Sequence, residues 1–179
     1  MNAENPYTTP ETDPIPGAPA AFGQLELATP GERFTGAFMD GLIGLGIAVP
    51  IWIALFLLGV FHSAEEMGKI GFGYTVLISL VHFPLYMAIQ WKSLKATGQT
   101  LGKKMAKTRI VTMNGKKPEV TDLAFKRYAF VAMINLIPVI GGVLSLVDVV
   151  LVFKADRRCL HDMVAGTKVV KFQPGQTIS

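Results

Sequence analysis

The sequence predicts an all-α membrane protein: a small bundle of transmembrane helices, two long spans plus a hairpin or kinked third span, with a short cytoplasmic β element. Three observations predict it. Half of the 179 residues are hydrophobic and only 17% are charged, and the apolar residues are gathered into long runs. Ten of the seventeen lysines and arginines crowd between Lys92 and Arg127. Two alternating β-branched segments, KTRIVTM and GTKVVKF, lie far apart along the chain.

Residues 1–30 hold no Lys or Arg before the first run and carry six of the eleven prolines, with Glu4, Glu11, Asp13 and Glu26 among them. Such a segment cannot bury enough apolar surface to offset its ordering entropy, so a disordered acidic tail is expected, not a signal peptide. The transmembrane domain is expected over 31–172, with a short tail at 173–179.

From Phe34 to Phe61 the only charged residue is Asp40, and from Ile70 to Trp91 the only imidazole or charge is His82. Each run has the roughly 20 residues a helix needs to cross a bilayer. Under the positive-inside rule the basic segment 92–127 lies in the cytoplasm. The N-terminus is then cytoplasmic too, and the connection FHSAEEMGKIGFG lies outside.

The third apolar run, Tyr128 to Phe153, allows two arrangements. One crossing would carry the C-terminus outside, against the basic cluster Lys154, Arg157, Arg158, Lys168 and Lys171. Pro138 removes a helix hydrogen bond and Gly141-Gly142 favours a bend, so two short helices forming a hairpin are favoured. The hairpin keeps KTRIVTM and GTKVVKF on one side, where they can pair; Asn114-Gly115 after the first marks a tight turn.

Arg33, Ala37, Asp40 and Gly44 share one helix face, and Gly141, Ser145 and Asp148 repeat the pattern in the last apolar segment. Small residues on a stripe let helices approach closely in lipid, so Asp40 is expected to face protein. An ionisable residue inside a span is a functional-site candidate by default. Asp40 and Asp148 are expected at similar depth and in one ion or proton site with Arg33 and Asp162, supported by Arg127, Arg157, Arg158 and His161. The structural alternative is a set of ion pairs that orient helices. His82 is expected to hydrogen-bond across a helix interface.

Arg33 at the start of the first helix, Asp40 within it, TLGKKMAKTRIV at 100–111 and DRRCLHDMVAGTKVV at 156–170 together resemble the RDD family of mainly bacterial membrane proteins. The resemblance covers residues 30–171. The family is named for one arginine and two aspartates; Arg33 and Asp40 match the first two positions, and Asp148 or Asp162 the third. It implies an inner-membrane protein with a suggested transport role, including sodium/proton antiport in some members.

Other chemistry is set aside. The net charge of +4 has its source in the membrane-flanking loops, so no nucleic-acid partner is expected. One cysteine, Cys159, excludes an intrachain disulfide or a Cys cluster, and His62, His82 and His161 show no metal-ligand spacing. GQTLGKK departs from a nucleotide-binding loop in spacing and in its final residue. No nucleophile stands beside a base, so neither enzyme activity nor a cofactor is expected. Two functions remain: a small oligomeric transporter exchanging H+ for Na+ or a solute, or a membrane scaffold that binds partner proteins or anionic lipid.

Overall fold

The computed structural model describes residues 25–69, 71–137 and 139–172. The greater part of the expected acidic tail, Pro138 and residues 173–179 lie outside the described residues. The fold is mostly helical, with two long apolar helices and one two-stranded sheet.

Helix α1 spans Pro30–Leu57. Thr29 starts it: its side chain accepts the Glu32 N–H at 3.2 Å, and the Glu32 carboxylate accepts the Thr29 N–H at 2.7 Å. This reciprocal cap satisfies two backbone donors, and Pro30 at the first helical position lacks one. After the short helix α2, Ala64–Gly68, the chain returns through α3, Phe72–Thr97. Gly98 closes α3 at φ +67°, a left-handed position that glycine occupies without strain, and its N–H bonds the Leu94 carbonyl.

Both α1 and α3 are long and apolar enough to cross a membrane. Phe34, Phe38, Leu42, Leu45 and Val49 stand exposed on α1, as do Leu77, Leu80 and Leu85 on α3. An apolar surface of that extent suits hydrocarbon, not water. The residues α3 buries, Met87, Gln90, Ser93 and Leu94, all lie in its second half. The packed core therefore sits at one end of the bundle.

That end is a polar cap. Thr100 caps the short helix α4, Leu101–Met105, which leads into strand β1, Thr108–Thr112. Strand β2, Thr167–Lys171, pairs antiparallel with β1 in the register Thr108↔Lys171 to Thr112↔Thr167. The expected pairing of the two β-branched segments holds. Asn114-Gly115 does form a turn, with the Thr112 N–H on the Lys116 carbonyl at 2.8 Å, yet β1's partner comes from the far end of the chain.

The boundary of the N-terminal tail differs from expectation. Leu27 bridges Val170, and the Lys171 N–H bonds the Glu26 carbonyl at 2.9 Å, so residues 26–28 extend the sheet instead of belonging to a disordered tail. Ala28 is wholly buried in the cap core with Leu94, Ile110, Leu123 and Val169. Backbone hydrogen bonding to an otherwise open sheet edge orders this stretch.

The third apolar run forms a hairpin. Helix α5, Val120–Asp122, continues through a π-helical turn, Leu123–Tyr128, into α6, Ala129–Leu136. Helix α7, Ile140–Val150, folds back against it and ends in a 3-10 turn, Leu151–Phe153. Gly141 does not act as a bend: a Cβ there would lie 2.2 Å from the Ile134 carbonyl oxygen, so its missing side chain lets α7 touch α6. Ser145 adds a hydrogen bond to Asn135 at 3.1 Å. Helix α8, Leu160–Val164, then leads into β2.

Candidate functional site

Three carboxylates lie at the junction of bundle and cap, and His161 stands between two of them, 2.7 Å from Asp148 Oδ2 and 3.8 Å from Asp162 Oδ1. Asp40, about three turns into α1, is buried. Its Oδ1 accepts the Gly102 N–H at 2.9 Å and the Gln90 amide at 3.2 Å. Its Oδ2 accepts the Thr100 hydroxyl and faces Lys103 Nζ at 3.4 Å. Gln90 also accepts the Leu101 N–H at 2.8 Å, so α1, α3 and α4 meet at one polar knot. Four donors satisfy a carboxylate that would otherwise be costly to bury.

Gly102 is what permits the approach. A Cβ at that position would stand 2.4 Å from the Gly36 carbonyl oxygen and 2.7 Å from Asp40 Cγ. TLGKK is therefore a docking motif, in which Thr100 caps and donates, Gly102 leaves room and offers an N–H, and Lys103 supplies charge.

Asp162, at the third position of α8, holds the second cluster. Its Oδ2 accepts from Arg33 and from the Cys159 N–H at 3.1 Å, while Oδ1 accepts from Arg127. Exposure of the three side chains is 8% for Arg33, 3% for Arg127 and 0% for Asp162. Arg127 stands in the π-helical turn, a geometry frequent where a helix must redirect a functional side chain, and also donates to Thr167 Oγ1 at 2.9 Å. Arg33 donates further to the Arg157 carbonyl at 2.6 Å and to Cys159 Sγ at 3.2 Å. Burial pushes the Asp162 carboxyl up, but Arg127, with His161 and Arg33, more than offsets this and holds it well below the usual carboxylate range.

The third cluster is Asp148 of α7 with His161 of α8. His161 Nδ1 lies 2.7 Å from Asp148 Oδ2, and the His161 N–H donates to Oδ1 at 3.0 Å. Both side chains are 17% exposed, more open than either other carboxylate. Burial, then Arg127, lowers the His161 pKa, opposed by Asp148 and Asp162. Burial drives the Cys159 thiol up to about 11 against the pull of Arg33.

Of the expected site, Arg33, Arg127, Asp162, His161 and Asp148 come together, with His161 between the two carboxylates, while Asp40 is held apart by its own donors. Arg33 and Asp40 share a helix face but not a partner: Arg33 reaches α8 and Asp40 reaches α4. Asp40 and Asp148 make no direct hydrogen bond to each other; both line one cavity of about 990 Å³ walled by α1, α3, α6 and α7. The small residues Ala37, Gly41, Gly44 and Ala48 open this cavity, and only Gly36 buries itself against α4. Their stripe makes room, where close helix packing was expected. His82 bonds the Gly44 carbonyl at 3.0 Å, the expected interhelical contact.

Arg157 and Arg158 serve the cap. Arg157, at φ +49°, donates to the Leu27 and Ala28 carbonyls, and Arg158 to the Thr167 carbonyl at 3.1 Å. Sequence reasoning missed Gln90, Thr100, Gly102 and Lys103 as partners of Asp40. The signal was present in TLGKK, a cap residue followed by glycine and lysine, but nothing in it named the carboxylate it meets.

The RDD family model matches residues 27–166. An uncharacterized protein of Haemophilus influenzae is 25% identical over 148 residues, which cover 78% of this chain and 86% of that protein. No solved structure matches the chain.

Proposed function

The chain belongs to the RDD family of membrane proteins, and on that footing we propose that it is a small multi-pass carrier of the bacterial inner membrane, exchanging protons for a cation or solute. The observation that carries this reading is the cavity among α1, α3, α6 and α7, into whose wall the Asp148–His161 couple is set. A carboxylate and an imidazole in contact share a proton that a cation or a positively charged group can replace. Asp40 and Asp162 are anchors in this reading, because each already accepts from four donors. The exchanging pair is then Asp148 with His161, not Asp40 with Asp148. Two buried hydroxyls in the cavity wall, Thr108 Oγ1 and Tyr128 OH, have no partner among the described residues, which supports an interior that water or a polar solute visits.

The sheet supports a topology for this carrier. β1 pairs with β2, which is consistent with both basic segments lying on one side, and under the positive-inside rule that side, with the start of α1, is the cytoplasmic one in this proposal. Few helices enclose the cavity, and a homo-oligomer is part of the proposal.

The test is proton movement in sealed vesicles containing the purified protein, driven in turn by Na+, K+ and Li+ gradients. The carrier reading expects cation-dependent proton flux that is lost in Asp148→Asn and His161→Gln while both variants elute as the wild type does. Absence of flux for wild type under every gradient favours the second reading, a membrane scaffold whose basic cap binds anionic lipid or partner proteins. The saturation of Asp40 and Asp162 by donors is the observation on that side.

A further inference from the structure

The wall of the cavity brings together a carboxylate, a thiol and an imidazole. Asp148 comes from α7, Cys159 immediately precedes α8, and His161 lies in its first turn; one ligand atom from each falls within 4.8 Å of the others. These three residues also line the cavity. We propose that Asp148, Cys159 and His161 form a binding site for a borderline-soft divalent transition ion of the zinc type.

The donor set selects the ion. Zinc accepts thiolate, imidazole and carboxylate at about 2.0–2.3 Å, and three protein ligands with one position left open is its common arrangement in reactive sites. Alkali ions and magnesium prefer oxygen and gain little from sulfur or imidazole. A tetrahedral ion with such bonds needs its ligand atoms about 3.3–3.8 Å apart. To admit the ion, Asp148 and His161, now in contact at 2.7 Å, part by about 0.6 Å, and the Cys159 sulfur, within 4.8 Å of both, draws in. The fourth ligand comes from the cavity.

The surroundings resemble the supporting layer of a metal centre. Arg33 donates to Cys159 Sγ at 3.2 Å, a bond that favours sulfur in its anionic form, and Asp162 accepts the Cys159 N–H. With two anionic ligands and a neutral imidazole, the divalent ion leaves the triad without net charge. Binding expels the thiol proton, so affinity rises with pH. The sequence hides this site because Asp148 lies far from Cys159-x-His161 and no histidine pair marks it.

The inference does not rest on the transport reading, since it is tested in detergent without a gradient. The experiment is a Co2+ titration of the full chain, purified without an affinity tag, followed by absorption and competed with Zn2+. Cys159 is the only cysteine, so a thiolate-to-cobalt charge-transfer band can arise from this site alone. The expected result is that band at one ion per chain, abolished by Zn2+, and weakened more than about tenfold in affinity by Asp148→Asn or His161→Asn. Asp156→Asn, an exposed neighbour, leaves it unchanged. Absence of the band in wild type overturns the proposal whether or not the variants fold. A band that persists with wild-type affinity in both ligand variants overturns it equally.

Discussion

At the scale of single residues the three carboxylates differ in what their loss would do. Asp162 joins two buried guanidinium groups, and removing its charge leaves both uncompensated. Breaking such a buried pair costs about 3–5 kcal/mol. Asp162→Asn is therefore expected to lower the thermal midpoint in detergent far more than Asp148→Asn, whose side chain keeps some access to solvent. Equal midpoints for the two variants would contradict the hub role given to Asp162. The depressed Asp162 pKa places its contribution above the ordinary carboxylate range, roughly pH 4, with loss only as pH falls below that. His161 acts in a different window. Its folded pKa is lowered, so the unfolded chain binds the extra proton first as pH drops through about 6.5, and stability falls from there. Unfolding midpoints measured from pH 8 to pH 5 should decline in wild type and flatten in His161→Gln.

At the scale of elements, contact depends on two glycines, Gly102 and Gly141, whose hydrogens stand where a methyl would collide. Gly102→Ala must lift α4 from α1 and break the N–H bond to Asp40, at a cost of about 1–3 kcal/mol. Gly141 and Gly142 make a sharper comparison because they are neighbours in one helix. Gly141→Ala meets the Ile134 carbonyl and should force α6 and α7 apart, whereas Gly142 has nothing within 4 Å of its virtual Cβ. Gly142→Ala should leave stability unchanged or raise it by about 0.5–1 kcal/mol. Limited proteolysis and thermal melts of the pair would decide it; equal damage from both would mean the hairpin contact is not what α7 rests on. The sequence placed both glycines at a bend, yet both lie in the first turn of α7. Periodicity locates a helix break but does not say whether a nearby glycine supplies flexibility or closeness.

At the scale of the whole molecule, the proposed topology puts the β1 turn and α2 on opposite membrane faces. Cys159 is too buried to report on this. In a Cys159→Ala background, Glu65→Cys should react with an impermeant maleimide in intact cells and Lys116→Cys only after permeabilisation, both positions being exposed. The reverse pattern would invert the molecule; labelling of both in intact cells would remove α1 and α3 as complete crossings.

The sequence by itself determined the segments and their environment. Two apolar runs of spanning length, the interrupted third run, the matching β-branched strands and the inward-facing Asp40 all follow from local composition and period, which a single stretch of chain carries within itself. Only the tertiary structure decided which charge meets which. Asp40 finds Gly102 and Arg33 finds Asp162 across 62 and 129 residues, and both bonds depend on how helices rotate and where the cap settles. A shared helix face predicted one site for Arg33 and Asp40. About two turns of separation along that face send Asp40 to α4 and Arg33 to α8, because a hydrogen bond is decided within about 3 Å, while a sequence pattern resolves a face and not the atom opposite it.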